Sequence, residues 1–555
     1  MPGRPPLPPP HPALKVSVVV PARNEESLVG SCIAALTKQD GIALEEYEVL
    51  LVLDRCTDAT EARALEVAAK HPELRLFMLE GPGRGAGYAR RAGMDEACAR
   101  LLSLGRPGGL VASTDADTVV APDWLCTQLE AATRGARAIG GHIKLRDDAY
   151  LPPGVSGWRT EQGSLRQREL LVGPCLAGEN EPVRMEHWQF SGASLALTAA
   201  TYEEIGGLEP RAALEDEYLE RALERRSIPI ERPLAVEVAT SARTVGRAKR
   251  GLARDLALAS WVQSNTYDAR DFDVGPLVER KHVSGSSVSV VIPIKGKGRG
   301  TAALLEALGS LADAGLVDET IVLYPRMGYA SLVGGSGAKV YRDADLMPGF
   351  GPVRGYGDTL WRGLSAIKGD IVLFLDPSAP DPEGRRVLGL LSPLLSREEL
   401  GFVKGFSTEP AGDSSGASAT LSELVARPLI NLYRPELAGF VDPLSAEFAA
   451  RRTLLGSLPF PAGYGAALSL LLDVARLAGV GALAQTRLGP RPETKVLLPD
   501  LGEAVYAILV AVTARAHEEL DEHAPGPLFL PLEGRFESRR VAVEERPPLD
   551  TLKPT

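Results

Sequence analysis

The chain has 555 residues, 45% hydrophobic and 24% charged, room for two to four domains at about 100–200 residues each. Its 61 Lys and Arg against 72 Asp and Glu leave a net charge of −11, and aromatics are 5%. A strongly basic, base-stacking nucleic-acid binder is thereby disfavoured, and the 57 Gly and 43 Pro lack the period of a fibrous chain.

Residues 1–13 form a proline-rich tail without the apolar core of a signal peptide. No run approaches the roughly 20 apolar residues that span a bilayer; the apolar stretches 466–484 and 504–514 read as buried helices. The five cysteines (Cys32, Cys56, Cys98, Cys126, Cys175) are odd in number and include no CxxC, so reduced thiols and a cytoplasmic setting are expected. The β-branched run VSVVVP at 16–21 returns as VSVVIP at 288–293, an echo 272 residues later that indicates duplication of a whole domain. Second strands are expected at 49–53 and 320–324, and third strands at 109–113 and 370–375. Helical patterns such as 59–69 and 87–102 lie between them. This alternation predicts an α/β fold with parallel sheets covered by helices on both faces. A helix over 246–267 is expected to close the first domain. The expected domains are 14–283 and 284–533, with an irregular tail at 534–555.

Ligands of such sheets sit beyond the carboxyl ends of the strands. The first strand is followed by Ala22-Arg23-Asn24-Glu25-Glu26, the second by Asp54 and the third by Asp115-Ala116-Asp117, so three acidic clusters are predicted on one sheet edge. Asp115 and Asp117 offer hard oxygens suited to a divalent metal, Mg²⁺ or Mn²⁺. Arg84 lies in a glycine-rich loop before a helix, where backbone donors and a cation meet a diphosphate or where the arginine is only surface charge. Arg243 and Arg247 are candidates for a basic lid over diphosphate or an anionic acceptor; the alternative is an exposed helix start. His187 is a lone histidine with a structural role or a metal role open to it.

The strings PARNEE, LDRCTDAT, GRGAGYARRAGMDEA, STDADTVVAPDWL and SGASLALTAATYEEIGGLEP…LEDEYLERAL, in that order, resemble the nucleotide-sugar glycosyltransferases of family 2, which have the GT-A fold. The resemblance implies a nucleotide-diphospho-sugar donor. Ala22, Asn24 and Glu25 would line its nucleoside pocket, Asp54 would hold the base, and Asp115 and Asp117 would carry the metal. It also implies a base for a small-molecule or glycan acceptor, Asp216 first and Glu215 beside it. Consecutive helical acids point about 100° apart, so one of the two is expected to face the cleft.

The second half carries RGYGDTLWRGLSAIKGDIVLFLD and TLSELVARPLINLYRPELAGFVDPLSAEFAARRTLL, which resemble the glucosyl-3-phosphoglycerate synthases of family 81, retaining and metal-dependent GT-A enzymes. Its strand ends depart from that family: Ile294-Lys295-Gly296-Lys297 stands for acids, Asp376-Pro377-Ser378 keeps one of two carboxylates, Ala466-Ala467 replaces an acid, and the turn at 488–493 lacks histidine. This half is expected to be a degenerate transferase domain that supports folding, homodimerisation or acceptor binding. The alternative is a divergent site in which Lys295, Lys297 and Arg299 replace the metal. The expected activity is a metal-dependent sugar transfer by the first domain, with inversion favoured by the family 2 resemblance and retention left open by the second half. Two alternatives remain: glucosyl-3-phosphoglycerate synthesis in the second half, or a non-catalytic scaffold.

Overall fold

Both β-branched runs fold as fully buried central strands. The computed structural model describes residues 6–155, 157, 163–164, 186–211, 214–246, 251–294, 298, 300–325, 336–379, 381, 383–407, 420–490, 498–516, 528–532 and 535–539. The chain divides into two compact units, Met1–Ser260 and Trp261–Thr555.

In the first unit β1 (Val16–Ala22), β2 (Tyr47–Leu53), β3 (Leu76–Glu80) and β4 (Leu110–Ser113) are parallel neighbours. Side chains alternate across a strand, so Val18 and Val20 of β1 pack with Val29, Ile33 and Leu36 of the helix Val29–Leu36 on one face. Val19, with Leu50 and Val52 of β2, faces Met94, Ala97 and Leu101 of the helix Ala86–Ser103 on the other. That helix can approach because residue 93 is glycine: a Cβ there would lie 2.3 Å from Val19 and 2.8 Å from Val52. After β5 (Thr118–Val120), β6 (Ala138–Gly140), β7 (His142–Leu145), β8 (Leu195–Thr198), β9 (Ile230–Glu231) and β10 (Glu237–Thr240), the main sheet reads β3-β2-β1-β4-β8-β6-β9, with β8 antiparallel. A small sheet β5-β10-β7 stands beside it. The described part of the proline-rich tail is tied down: Arg100 and Arg106 donate to the carbonyls of Pro8 and Pro12, each at 2.8 Å. Arg100 also forms a buried two-point pair with Glu48, 2.7 Å at each contact.

The second unit repeats this plan. Its strands are β11 (Thr266–Asp268), β12 (Val288–Pro293), β13 (Glu319–Tyr324), β14 (Lys339–Arg342), β15 (Ile371–Phe374), β16 (Phe402–Phe406), β17 (Phe448–Arg451) and β18 (Leu483–Arg487), ordered β11-β18-β16-β17-β15-β12-β13-β14. Read from β14, this is the order of the first unit with β17 in the place of β8, again antiparallel to both neighbours, and one strand added at the far edge. Gly363 repeats the role of Gly93, since its Cβ would lie 2.7 Å from Leu323 of β13 and 3.2 Å from Val291 of β12.

Three expectations need revision. The closing helix is shorter, Leu252–Asn265, because the next residues already pair as β11 with β18. The stretch 466–484 is not one helix: Ala466–Ala478 stops at Gly479, whose φ is +81°, and β18 begins at Leu483. Within the tail expected to be irregular, Arg535–Arg539 pairs antiparallel with Leu528–Leu532.

Candidate active site

The carboxyl ends of β1, β2 and β4 bring the predicted residues of the first unit together, and the local backbone explains each placement. Asn24, just past β1, sits at φ +55°, a left-handed conformation that asparagine tolerates better than most residues. Its side-chain oxygen accepts the amide of Thr57 at 2.8 Å, which fastens the turn after β1 to the turn after β2. Ala22 accepts the amide of Asp54 at 2.8 Å, the last link between those strands. The Asp54 carboxylate is buried and caps the glycine-rich loop, with Oδ1 taking the amide of Gly83 at 2.5 Å and Oδ2 that of Gly85 at 3.0 Å. Its carboxylate therefore shapes the loop that presents Arg84. The Arg84 guanidinium is stacked 4.1 Å over the ring of Tyr88.

One residue that sequence reasoning missed organises the centre. Arg90, 2% exposed, donates from Nη2 to Asp115 Oδ1 at 2.7 Å and from Nε to Glu215 Oε1 at 2.9 Å. Its Nη1 reaches Ser113 Oγ at 2.6 Å and the Gly192 carbonyl at 2.9 Å. Burial opposes its charge, but Asp115 and Glu215 outweigh that and hold its pKa above the usual arginine value. A Cβ on Gly192 would fall 2.3 Å from Arg90 Nη2, so glycine is needed for this approach. The signal in the sequence was the spacing: Arg90 stands three residues before Gly93 and shares its inward helix face.

The two candidate bases separate as their helical phase requires. Glu215, the first residue of the helix Glu215–Glu224, is buried and locked to Arg90; burial and neighbouring Asp216 raise its pKa against that pairing. Asp216 is half-buried and accepts the amide of Gly192 at 3.0 Å. Both acids thus converge on Gly192, one through Arg90 and the other directly.

Asp117 completes the DxD pair. Burial and the charge of Asp115 push its pKa up to about 6, while Arg243 acts in the opposite sense. Arg243 lies 2.7 Å from Asp117 Oδ2 and grips both oxygens of Glu25, each at 2.7 Å. Arg247 lies outside the described residues. Asp115 and Asp117 fit a Mg²⁺ or Mn²⁺ ion, which takes one or two carboxylates and completes its shell with water and substrate phosphate. Burial and the repulsion from Asp115 both disfavour the charge of Asp117, and such an ion would offset both. Among the described residues no group of three or more His, Cys, Asp or Glu forms a closed metal cage. His187 pairs with the ring of His142, 5.4 Å between centroids, and burial lowers its pKa to about 4, which keeps it neutral.

Strand register carries the site across to the second unit. Val16 pairs with Leu110 as Val288 pairs with Ile371, so Asp376 answers to Asp115 and Ser378 to Asp117. The Ser378 hydroxyl donates to Asp376 Oδ1 at 2.7 Å, closing that carboxylate on its own turn. Helix phase from Gly363 places Leu360 where the first unit has Arg90. A buried cation here is Arg386, which pairs with Glu447 and donates to the Asp376 carbonyl at 3.1 Å. Lys295, Lys297 and Arg299 lie outside the described residues, whereas Ala466 is buried at the start of its helix.

The family model for glycosyl transferase family 2 matches residues 17–180. The glucosyl-3-phosphoglycerate synthase of Mycolicibacterium smegmatis is 34% identical over 307 residues, covering 53% of this chain and 98% of that protein. A dolichyl-phosphate beta-glucosyltransferase of Drosophila melanogaster is 35% identical over 150 residues, 25% of this chain and 44% of that one. Among solved structures, the Mycobacterium tuberculosis glucosyl-3-phosphoglycerate synthase in complex with Mn²⁺, UDP-glucose and phosphoglyceric acid has a TM-score of 0.40 at 34% identity, covering 51% of this chain and 96% of that one. No helix among the described residues is long and apolar enough to cross a membrane.

Proposed function

The chain belongs to the glucosyl-3-phosphoglycerate synthase family and is a nucleotide-sugar glycosyltransferase, and from that premise we propose that its first unit performs the transfer. The supporting observation is the acidic pair at the end of β4, Asp115 and Asp117, whose counterpart at the end of β15 has lost its second carboxylate to Ser378. In this reading Asp115 and Asp117 hold a divalent metal, which supplies positive charge to the departing diphosphate. Asn24 and Glu25 line the nucleoside side, and the loop whose amides Asp54 caps presents Arg84 to the phosphates. Asp216 is the base that takes the proton of the acceptor hydroxyl. Its Oδ2 is oriented by the Gly192 amide, and among the described residues no arginine pairs with it as Arg90 pairs with Glu215. Glu215 then acts by holding Arg90.

A phosphoglycerate acceptor and a glucosyl donor are the first pair to try, because the relative of that name is matched over 98% of its length. A cytoplasmic setting, with Cys32, Cys56, Cys98 and Cys126 as free thiols, belongs to the same proposal and is checked by cell fractionation. The experiment is nucleotide-diphosphate release from a panel of nucleotide-diphospho-glucoses with 3-phosphoglycerate and other acceptors, using the full chain with Mn²⁺ and with chelator. Asp115→Asn with Asp117→Asn should lower turnover by at least about 100-fold, the scale for losing one preorganised electrostatic contact. Asp376→Asn should leave turnover within about twofold. The reverse pattern would move the active site to the second unit, and NMR of the product's anomeric centre would decide inversion against retention.

A further inference from the structure

Arg243 occupies a position that the transfer reaction needs for another cation. It stands three residues beyond the end of β10, and its guanidinium makes three contacts of 2.7 Å, two to the oxygens of Glu25 and one to Asp117 Oδ2. The other oxygen of Asp117 has Thr118 Oγ1 and Thr240 Oγ1 each 3.4 Å away. Asp115 Oδ1 is already held by Arg90. Each carboxylate of the DxD pair is thus engaged by an arginine of the chain, but the two arginines differ. Arg90 is buried with four partners, whereas Arg243 is about a quarter exposed. The half of the arrangement that solvent and ligand can reach is therefore Arg243.

A guanidinium and a divalent ion repel one another and cannot both lie against Asp117 Oδ2. A diphosphate, in contrast, offers a guanidinium two parallel N–H···O bonds that match the pairing it would give up at Glu25. We propose that Arg243 is an internal counter-cation that guards Asp117, so that a divalent metal binds weakly until a nucleoside diphosphate draws Arg243 away. Metal and donor then enter together. Because coupling between two ligands is reciprocal, the metal tightens the nucleotide by the same factor that the nucleotide tightens the metal. The inference rests on the reading of Asp115 and Asp117 as the metal pair, and the experiment separates the two.

Free Mn²⁺ is followed by electron paramagnetic resonance while the full chain is titrated, without and with saturating UDP. Arg243→Ala should bind Mn²⁺ alone about tenfold or more tighter than the unsubstituted protein, within the 5–150-fold range usual for coupling between sites. UDP should tighten Mn²⁺ in the unsubstituted protein and do so by a smaller factor in the variant. A gain of affinity cannot arise from a damaged fold; should the alanine variant fail to fold, Arg243→Gln decides in its place. Unchanged or weaker Mn²⁺ binding by the substituted protein overturns the role given to Arg243. Asp117→Asn is the discriminating control. If it loses Mn²⁺ while Arg243→Ala changes nothing, the metal pair stands and the guard does not; if it keeps Mn²⁺ in full, both fall.

Discussion

Arg90 is the side chain on which the first unit depends most closely, since its charge is shared by Asp115 and Glu215 in a buried place. Removing one partner from such a pair leaves an uncompensated charge, at a cost of about 3–5 kcal/mol. Arg90→Leu, which copies Leu360 of the second unit, should therefore destabilise the first unit strongly in urea titrations. Asp115, about a third exposed, recovers part of the loss through water. Most of the remainder should return in Arg90→Leu with Glu215→Leu, because the buried acid is then gone as well. Glu25, Asp54, Asp115 and Asp117 were legible as acids in the sequence, as each follows closely on an apolar strand. Arg90 was not, because GYARRAG offers two adjacent arginines and only the close packing of Gly93 on Val19 fixes which one points inward. The role of Asp54 was hidden for a similar reason: its partners are backbone amides of Gly83 and Gly85, which carry no side-chain signature.

At the scale of elements, the long central strands were readable to within one or two residues, because a continuous β-branched run has few other uses. Strands of two or three residues such as β9 and β11 were invisible, and 466–484 looked like one helix because an apolar run does not declare its period. β16 carries a charge in conflict with its surroundings. Lys404 is 1% exposed, donates to the Ala467 carbonyl at 3.2 Å, and burial lowers its pKa to about 8. The unfolded chain holds this proton up to about pH 10.5. Between these values the unfolded state binds the proton and the folded state does not, so this group makes stability rise with pH in that window and flat below it. Lys404→Met should stabilise the second unit at pH 7 by about 1–3 kcal/mol, as replacing buried charge often does. Its advantage should shrink by pH 9.5, which urea midpoints at the two pH values would show.

For the molecule as a whole, the echo of VSVVVP in VSVVIP was enough to predict two copies, and the matched strand orders establish the repeat of topology. What the echo could not convey is how unequal the copies are in charge at their strand ends. Two separate cores imply two unfolding transitions, and the substitutions above label them: Arg90→Leu lowers one and Lys404→Met raises the other. Mn²⁺ with UDP should raise only the transition that Arg90→Leu lowers, since a ligand stabilises the body that binds it. A rise confined to the other transition in calorimetry would place the donor in the second unit.

The pairing of Arg386 with Glu447 beneath Asp376 bears on whether the second copy can be revived. Ser378→Asp would restore the missing carboxylate in name, yet the new acid would meet a backbone whose buried arginine belongs to another helix and whose Arg90 position is leucine. Recovering the first unit's network needs changes at residues 360, 378, 386 and 447 at once; residue 378 is exposed and tolerates an acid, but a change at 360, 386 or 447 alone strands a charge in the core. The divergence of the copies therefore works as a one-way valve: the exposed step restores a carboxylate without its network, and the buried steps are blocked by stability before they are tested for catalysis.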